Sequence, residues 1–496
     1  MFSFIISILV LVCGYIFYSS FVAKIFGPDG RRTPAIKKND GVDFVPMPTW
    51  RVFMIQFLNI AGTGPIFGAI MGAKFGPASY LWIVFGCIFA GAVHDYLSGM
   101  LSLRHNGASL PDIIGIYLGK RSKRMMLIFS LILLILVGAV FTYSPAIILG
   151  DIAGDGSQKA MLIWAAVIFI YYIIATILPI DKIIGKIYPL FAIALLFMAV
   201  SMMIGLFVKW PSIPEIWDGL ANRGPGLGMK DQPVFPCLFI TIACGAISGF
   251  HATQSPMMAR CMKTEFLGRP VFYGAMITEG IVALIWAAIS SYFFFDGGAA
   301  EVGSSLTASA PAVVTSVSRG WLGVFGGILT VIGVVAAPIT SGDTAMRSAR
   351  LIVADAFKIN QKKIAPRLLV SFPLFLLSAL MLWFNISDQN GFNTIWKYFG
   401  WANQSISIFT LWALTVYLAA RKKGRRYLIT MIPAAFMTSV CGTFILVDKI
   451  GFGLPAGTAP WIGLGLFIVS TFCLDTWRYN RTRKKIRIRT NAKTNR

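Results

Sequence analysis

The chain has 496 residues, 56% apolar and 13% charged, with 44 lysines and arginines against 20 acidic residues and a formal net charge of +24. Soluble proteins carry about a quarter charged residues, so these charges are too few to coat a soluble surface, and a soluble enzyme is excluded. The basic residues fall in short runs between long apolar stretches, which fits anionic lipid and excludes a nucleic-acid binder.

A window of about 20 apolar residues predicts an all-α polytopic membrane protein with about 13 transmembrane helices. In chain order they lie near 2–25, 52–73, 78–102, 124–149, 160–180, 186–209, 235–255, 271–295, 320–341, 366–386, 394–419, 427–447 and 460–477. The first is read as a retained span, because no basic n-region precedes it and no clear cleavage site follows. From an outside N-terminus, the loops predicted inside hold 36 of the 44 lysines and arginines. That asymmetry places the N-terminus outside and the C-terminus in the cytoplasm. Asp343 to Phe357 continues with helical spacing and is expected to leave the membrane as a cytoplasmic helix. The tail from Arg478 to Arg496 holds nine positive charges and no acid, and reads as a disordered anchor on anionic lipid. The seven cysteines include no CxxC pair, so they indicate neither a metal site nor a disulfide framework.

Two spans look interrupted. Span two contains Gly62, Gly64 and Pro65, and glycine and proline weaken a helix interior by about 1 and 3 kcal/mol. In span seven, Gly249 and Pro256 bracket the polar stretch His251, Thr253, Gln254 and Ser255, where a second break is expected. Freed backbone groups survive in a bilayer only where they line a cavity, although a proline-kinked packing helix is the plainer reading of each. Each break opens a run of five spans, and paired broken helices point to a secondary transporter with inverted repeats. The chain then divides into an extra helix with a basic loop (1–49), a first five-helix repeat (50–210), a second, inverted repeat (234–420), two additional helices (421–477) and the basic tail (478–496).

A half-helix starting at Pro65 would aim the amides of Gly62, Thr63 and Gly64, with the positive end of its dipole, at an anion such as a substrate carboxylate. Asn59, Gly62, Thr63, Gly64, Pro65, Ser248, Gly249, Phe250, His251 and Gln254 are therefore the candidate substrate-binding residues. Ionisable groups inside spans are costly, by about 2.5–3.5 kcal/mol each, and invite functional hypotheses. Asp95, with its neighbour His94, and Glu279 are candidate proton carriers. The alternatives are an interfacial position for Asp95 and a structural hydrogen bond for Glu279. His251 reads equally as a structural histidine. Thr340, Ser341 and Asp343, after Pro338, offer hard oxygen ligands for Na⁺, or else cap a helix. Arg347 and Arg350 either hold Asp343 ionised, in a structural or gating role, or meet lipid headgroups.

The strings NIAGTGP (59–65), AGAVHD (90–95), ACGAISGFHATQSP (243–256), YGAMITEGIVALIWAA (273–288) and ITSGDTAMRSARLIVADAF (339–357) resemble those of the carbon starvation CstA transporters. The resemblance covers most of residues 50–360. It implies an inner-membrane permease of LeuT-like fold that takes up pyruvate or peptides, driven by an ion gradient, that of protons. No cofactor is expected beyond the coupling ion, H⁺ with Na⁺ as the alternative. The resemblance also implies functional roles for Gly62 to Pro65, Asp95, Ser248 to His251, Glu279, Asp343 and Arg347. After GFH the chain reads ATQSPMMAR, where the longer family members continue with a Ser/Thr-rich stretch, a departure expected to bear on substrate choice. The competing readings are Na⁺-coupled symport of a different substrate and a membrane channel or metabolite sensor. A channel would show a polar stripe along several helices, whereas the polar residues here gather at the breaks. An intramembrane enzyme would need a paired nucleophile and base or a metal cluster, and the chain has three scattered histidines and no HExxH.

Overall fold

The structure, a computed structural model, describes residues 1–41, 43–177, 180–361, 363–387, 391–421 and 424–494. It is all helical. α1 (Phe2–Phe26) is followed by two short helices, α2 (Thr49–Ile60) and α3 (Gly64–Ala73), and by α4 (Ala78–Arg104). The short α5 (Leu110–Leu118) starts after the extended Ser109 with Pro111 in its first turn, and ends at Gly119, whose φ is +91°. Then come α6 (Lys120–Ala153), α7 (Gln158–Ile177) and α8 (Ile180–Lys209). After a long loop follow α9 (234–241), α10 (Gly249–Ala259) and α11 (Glu265–Phe295). α12 (Ala310–Leu329) bends at Gly323, where φ is +59°, and runs on through a π-helical stretch, Thr330–Val335, into α13 (Ala336–Phe357). The chain finishes with α14 (Ile364–Ser387), α15 (Gly391–Arg421), α16 (Leu428–Val447) and α17 (Ala459–Thr494).

Ten helices are long and apolar enough to cross a membrane, or eleven if the bent pair α2 and α3 is one span. That is fewer than the thirteen expected from hydropathy. The expected span 235–255 is divided into α9 and α10, each too short to cross alone. The 31-residue α15 carries Asn403, Gln404 and Ser405 in its interior, which lowers its apolarity. At 320–341 the helical boundary is displaced, because the Gly323 bend separates a first segment from one that runs on to Phe357.

Two further expectations change. α13 does not emerge freely into water after Asp343, because Asp343, Arg347 and Arg350 are all buried and only its last turn is exposed. The tail, expected to be disordered, continues α17 to Thr494: no proline follows Pro460, and the lysines and arginines are good helix formers.

Charged loop residues gather at two ends of the bundle. At one, buried Glu265 accepts from Arg104 Nε and Nη2 at 3.1 and 2.9 Å, and Arg31 Nε lies 3.4 Å away. Arg104 Nη2 also donates to the Gly27 carbonyl at 2.6 Å. At the other end, the Met1 amine pairs with Glu215, Lys209 with Glu301, and Lys397 with Asp448 at 2.9 Å. The interior between the ends is a continuous apolar core into which a few ionisable side chains are set.

Candidate functional site

The first break lies where span two was expected to open. α2 stops at Ile60, Ala61 leaves helical geometry with ψ at +43°, and α3 resumes at Gly64 with Pro65 in its first turn, bent by 51° from α2. The second break does not lie between Gly249 and Pro256. It occupies Ile242 to Ser248, with Gly245 at φ +89°, and His251, Thr253, Gln254, Ser255 and Pro256 all belong to α10. Gly245 supplies a left-handed turn that other residues reach with strain, and Pro256 is tolerated inside α10.

The two breaks meet. A Cβ on Gly64 would fall 2.3 Å from Cys244 Cβ and Sγ, a Cβ on Gly68 3.0 Å from the Thr241 carbonyl, and one on Gly72 2.2 Å from Ile242 Cγ1. From α4, a Cβ on Gly91 would fall 2.2 Å from the Ala246 carbonyl. Small residues on neighbouring helices thus let backbone approach the irregular segment closely enough to cover its polar groups. Asn403 of α15 adds a cap: its Oδ1 accepts from the Phe250 amide at 2.7 Å and from Ser248 Oγ at 3.1 Å. A Cβ on Gly249 would fall 2.2 Å from the Asn403 carbonyl, so α15 and the start of α10 touch backbone to backbone.

At this junction lie the buried ionisable groups. His251 Nδ1 is 2.8 Å from Asp95 Oδ2, and Asp95 Oδ1 is 2.8 Å from His94 Nδ1. The other face of the same imidazole, Nε2, stands 3.4 Å from Glu279 Oε2. His94, Asp95, His251 and Glu279 are all fully buried. With His251 Nδ1 donating to Asp95, Nε2 and the Glu279 carboxyl face each other across a gap that one shared proton would close. Asp95 is enclosed by protein, and the buried ionisable residues of α4, α10 and α11 form one chain of contacts.

The expected ion-binding residues separate. Ser341 Oγ donates to the carbonyls of Leu58 and Asn59 at 3.0 and 3.2 Å, the last turn before the first break. The Thr340 hydroxyl turns back onto its own helix, to the Ala336 and Ala337 carbonyls. Asp343 Oδ2 accepts from Tyr188 at 2.6 Å. Arg347 Nη2 donates to the Ala175 carbonyl and Arg350 Nη1 to Gln361 Oε1, so both are anchored by protein and neither needs a lipid headgroup. Gly62 abuts Ser341 and the Phe141 ring. Among the described residues, the Asn59 amide, the Thr63 hydroxyl, Gln254 Oε1 and the Glu279 carboxyl are buried without a hydrogen-bond partner. Native interiors rarely leave such groups orphaned unless a ligand or water completes them.

Cavities flank the junction. A cavity of about 480 Å³ lies beside α3 and α9 and reaches Thr241, and a small one of about 30 Å³ lies beside Thr253, Met257 and Ser348. Sequence reasoning missed Cys244, Tyr188 and Asn403. Of these, only Asn403 had a visible signal, since Asn403, Gln404 and Ser405 form a polar patch inside an apolar span.

Comparison with known proteins identifies a family, several relatives and a solved structure of similar fold. The family model for carbon starvation protein CstA matches residues 1–161, 152–321 and 305–443. An uncharacterized membrane protein of Haemophilus influenzae is 46% identical over 336 residues, covering 59% of this chain and 91% of its own length. The peptide transporter CstA of Campylobacter jejuni is 27% identical over 552 residues, covering 87% and 78%. The pyruvate/proton symporter BtsT of Escherichia coli is 29% identical over 341 residues, covering 56% of this chain and 47% of its own. The crystal structure of a manganese transporter from Eremococcus coleocola matches with a TM-score of 0.56 over 90% of this chain and 99% of that one. At 11% identity that likeness concerns the fold alone.

Proposed function

The chain belongs to the carbon starvation CstA family of membrane transporters, and from that premise we propose that it imports a small carboxylate-bearing metabolite, pyruvate, an amino acid or a short peptide, by proton symport. The observation that carries this reading is the junction of the two interrupted helices, where Cys244 packs on Gly64 and His251 bridges Asp95 and Glu279. The printed names of the relatives support the cargo class, peptides for one and pyruvate with protons for another.

The proposed architecture has thirteen spans, with residues 50–210 and 234–420 as two five-helix repeats of opposite orientation, in a bacterial inner membrane. Supporting the orientation, Arg31, Arg104 and Glu265 come from segments assigned to the cytoplasm and cluster together, while Met1 and Glu215 come from segments assigned outside and pair. Cargo binds between the breaks, its carboxylate against the residues around Gly62 to Pro65 and its remainder toward Phe250 and Gln254. A proton loads between His251 and Glu279, with Asp95 and His94 fixing the imidazole. One bundle then rocks against the other and exchanges the cavity beside α3 and α9, on the side assigned outside, for the one beside Thr253 and Met257, on the side assigned to the cytoplasm. Coupling requires that the proton favour the cargo-ready state, because a ligand that binds both states equally shifts nothing.

A second reading, Na⁺ coupling, is favoured by one observation: Ser341 Oγ meets the Leu58 and Asn59 carbonyls, three hard oxygens at the end of α2. Purified protein in liposomes, offered labelled pyruvate, alanine and dialanine under separately imposed proton and sodium gradients, tests both. Accumulation driven by the proton gradient alone is expected. Accumulation driven by sodium alone would replace the proton reading, and accumulation of no probe under either gradient would overturn import.

A further inference from the structure

The larger cavity has a lining that the transport reading does not use. It is bounded by Met71 in the last turn of α3 and Lys74 just beyond it, Thr241 at the end of α9, Trp396 and Lys397 on α15, and Lys449 beyond α16. Only 8 of the 44 lysines and arginines fall in the loops and helix ends predicted outside, and three of them, Lys74, Lys397 and Lys449, line this one cavity. Two are already paired. Lys397 Nζ lies 3.1 and 2.9 Å from the Asp448 oxygens, and Lys449 Nζ lies 2.6 Å from Asp231 Oδ2.

Lys74 is different. Its ammonium sits 4.8 Å over the ring of Phe294, and among the described residues no carboxylate pairs with it. Burial draws its pKa below the usual lysine value, as expected for a cation that lacks a counter-charge. A cation–π contact offsets only part of that desolvation, and an anion would offset more. The cavity of about 480 Å³ falls within the range of about 300–1,000 Å³ typical of sites for ligands larger than a three-carbon acid. Its other walls are Met71, Trp396 and neighbouring apolar side chains, suited to an amphipathic body. The floor is closed where Gly72 meets Ile242 and Gly68 meets the Thr241 carbonyl, next to the second break.

We propose that this outer cavity is a capture site for a short peptide, whose terminal carboxylate pairs with Lys74 before the peptide passes to the break. The inference rests on the import reading and narrows its cargo to peptides. Lys397 and Lys449, held by Asp448 and Asp231, shape the rim, and the unpaired Lys74 supplies the net positive charge.

Dialanine and pyruvate are the probes. Uptake is measured in proteoliposomes, and equilibrium binding to the purified full chain in lipid nanodiscs. Losing one charge-assisted hydrogen bond should raise the KM for dialanine about tenfold in Lys74→Gln, with a smaller change in maximal rate. Dialanine binding should weaken by a similar factor, and Lys74→Arg, which keeps the charge, should restore both. Unchanged KM and binding in Lys74→Gln would overturn the proposal, as would a wild-type protein that takes up pyruvate and neither binds nor carries dialanine. If Lys74→Gln misfolds, the same comparison made between Lys74→Met and Lys74→Arg decides. Failure of the import reading looks different: the wild type would accumulate neither probe, yet would still bind dialanine in a Lys74-dependent way.

Discussion

The two interruptions are built by different means. The first occupies only Ala61 to Thr63, and its own residues make it: a glycine inside the gap, then Gly64 and Pro65 opening the next half-helix. The second runs from Ile242 to Ser248 and contains no proline. Gly245 turns the chain, and the rest is held open from outside by Gly64, Gly68 and Gly91, which admit its backbone, and by Asn403, which caps the helix that follows. A break written into local sequence is short and needs little support, whereas one imposed by neighbours is longer and can carry side chains into position. The ionisable residues sit at the second, where His251, two residues past the start of α10, reaches Asp95 and Glu279.

The largest effect should come from breaking the contact between them. Gly64→Leu places a side chain where Cys244 already lies, at an overpacking cost of about 1–3 kcal/mol, and should abolish both gradient-driven uptake and cargo exchange while the protein still folds. Near-normal uptake in that variant would mean that the breaks need not stay in contact. Next, Glu279→Gln should abolish gradient-driven accumulation yet leave cargo exchange across the membrane within about threefold of wild type, since only the ion step is removed. Full accumulation would show that Glu279 carries no proton. A smaller effect is expected from Asn403→Ala, which removes the cap of α10. It should cost about 1 kcal/mol and lower the melting temperature by about 1–4 °C, measured in detergent, and no shift would show that the cap is dispensable. The smallest belongs to Pro256→Ala, expected to leave uptake within about twofold because Pro256 lies inside α10 and makes no break. A large loss there would move the functional interruption back to where the proline suggested.

Much of the molecule was legible from sequence. Long apolar runs mark most helices, and Gly62, Gly64 and Pro65 mark the first break because their backbone preferences act locally. Asp95, His251 and Glu279 stood out singly, each being expensive in a bilayer. Their convergence was not legible, because it depends on how α4, α10 and α11 pack, which no local pattern encodes. The second break was misplaced for the same reason: Pro256 is a strong local signal, and what opens the chain at Ile242 to Ser248 is the close approach of glycines distant in sequence. Cys244 looked like one more small apolar residue, and only the packed structure puts it at the meeting point. The basic tail looked disordered from charge alone, but it lacks a helix breaker and continues α17.

Transport between the two breaks requires that their junction become exposed during the cycle, and Cys244 is a natural reporter of that. In a variant with the exposed Cys13 and Cys473 and the cavity-lining Cys237 replaced by serine, a membrane-impermeant thiol reagent applied outside should modify Cys244 slowly as the transporter cycles. Saturating cargo with an imposed ion gradient should change that rate several-fold, and modification should block uptake. Labelling of Cys244 at a rate indifferent to cargo and gradient, or uptake undiminished after complete modification, would contradict the placement of the transport site between the two breaks.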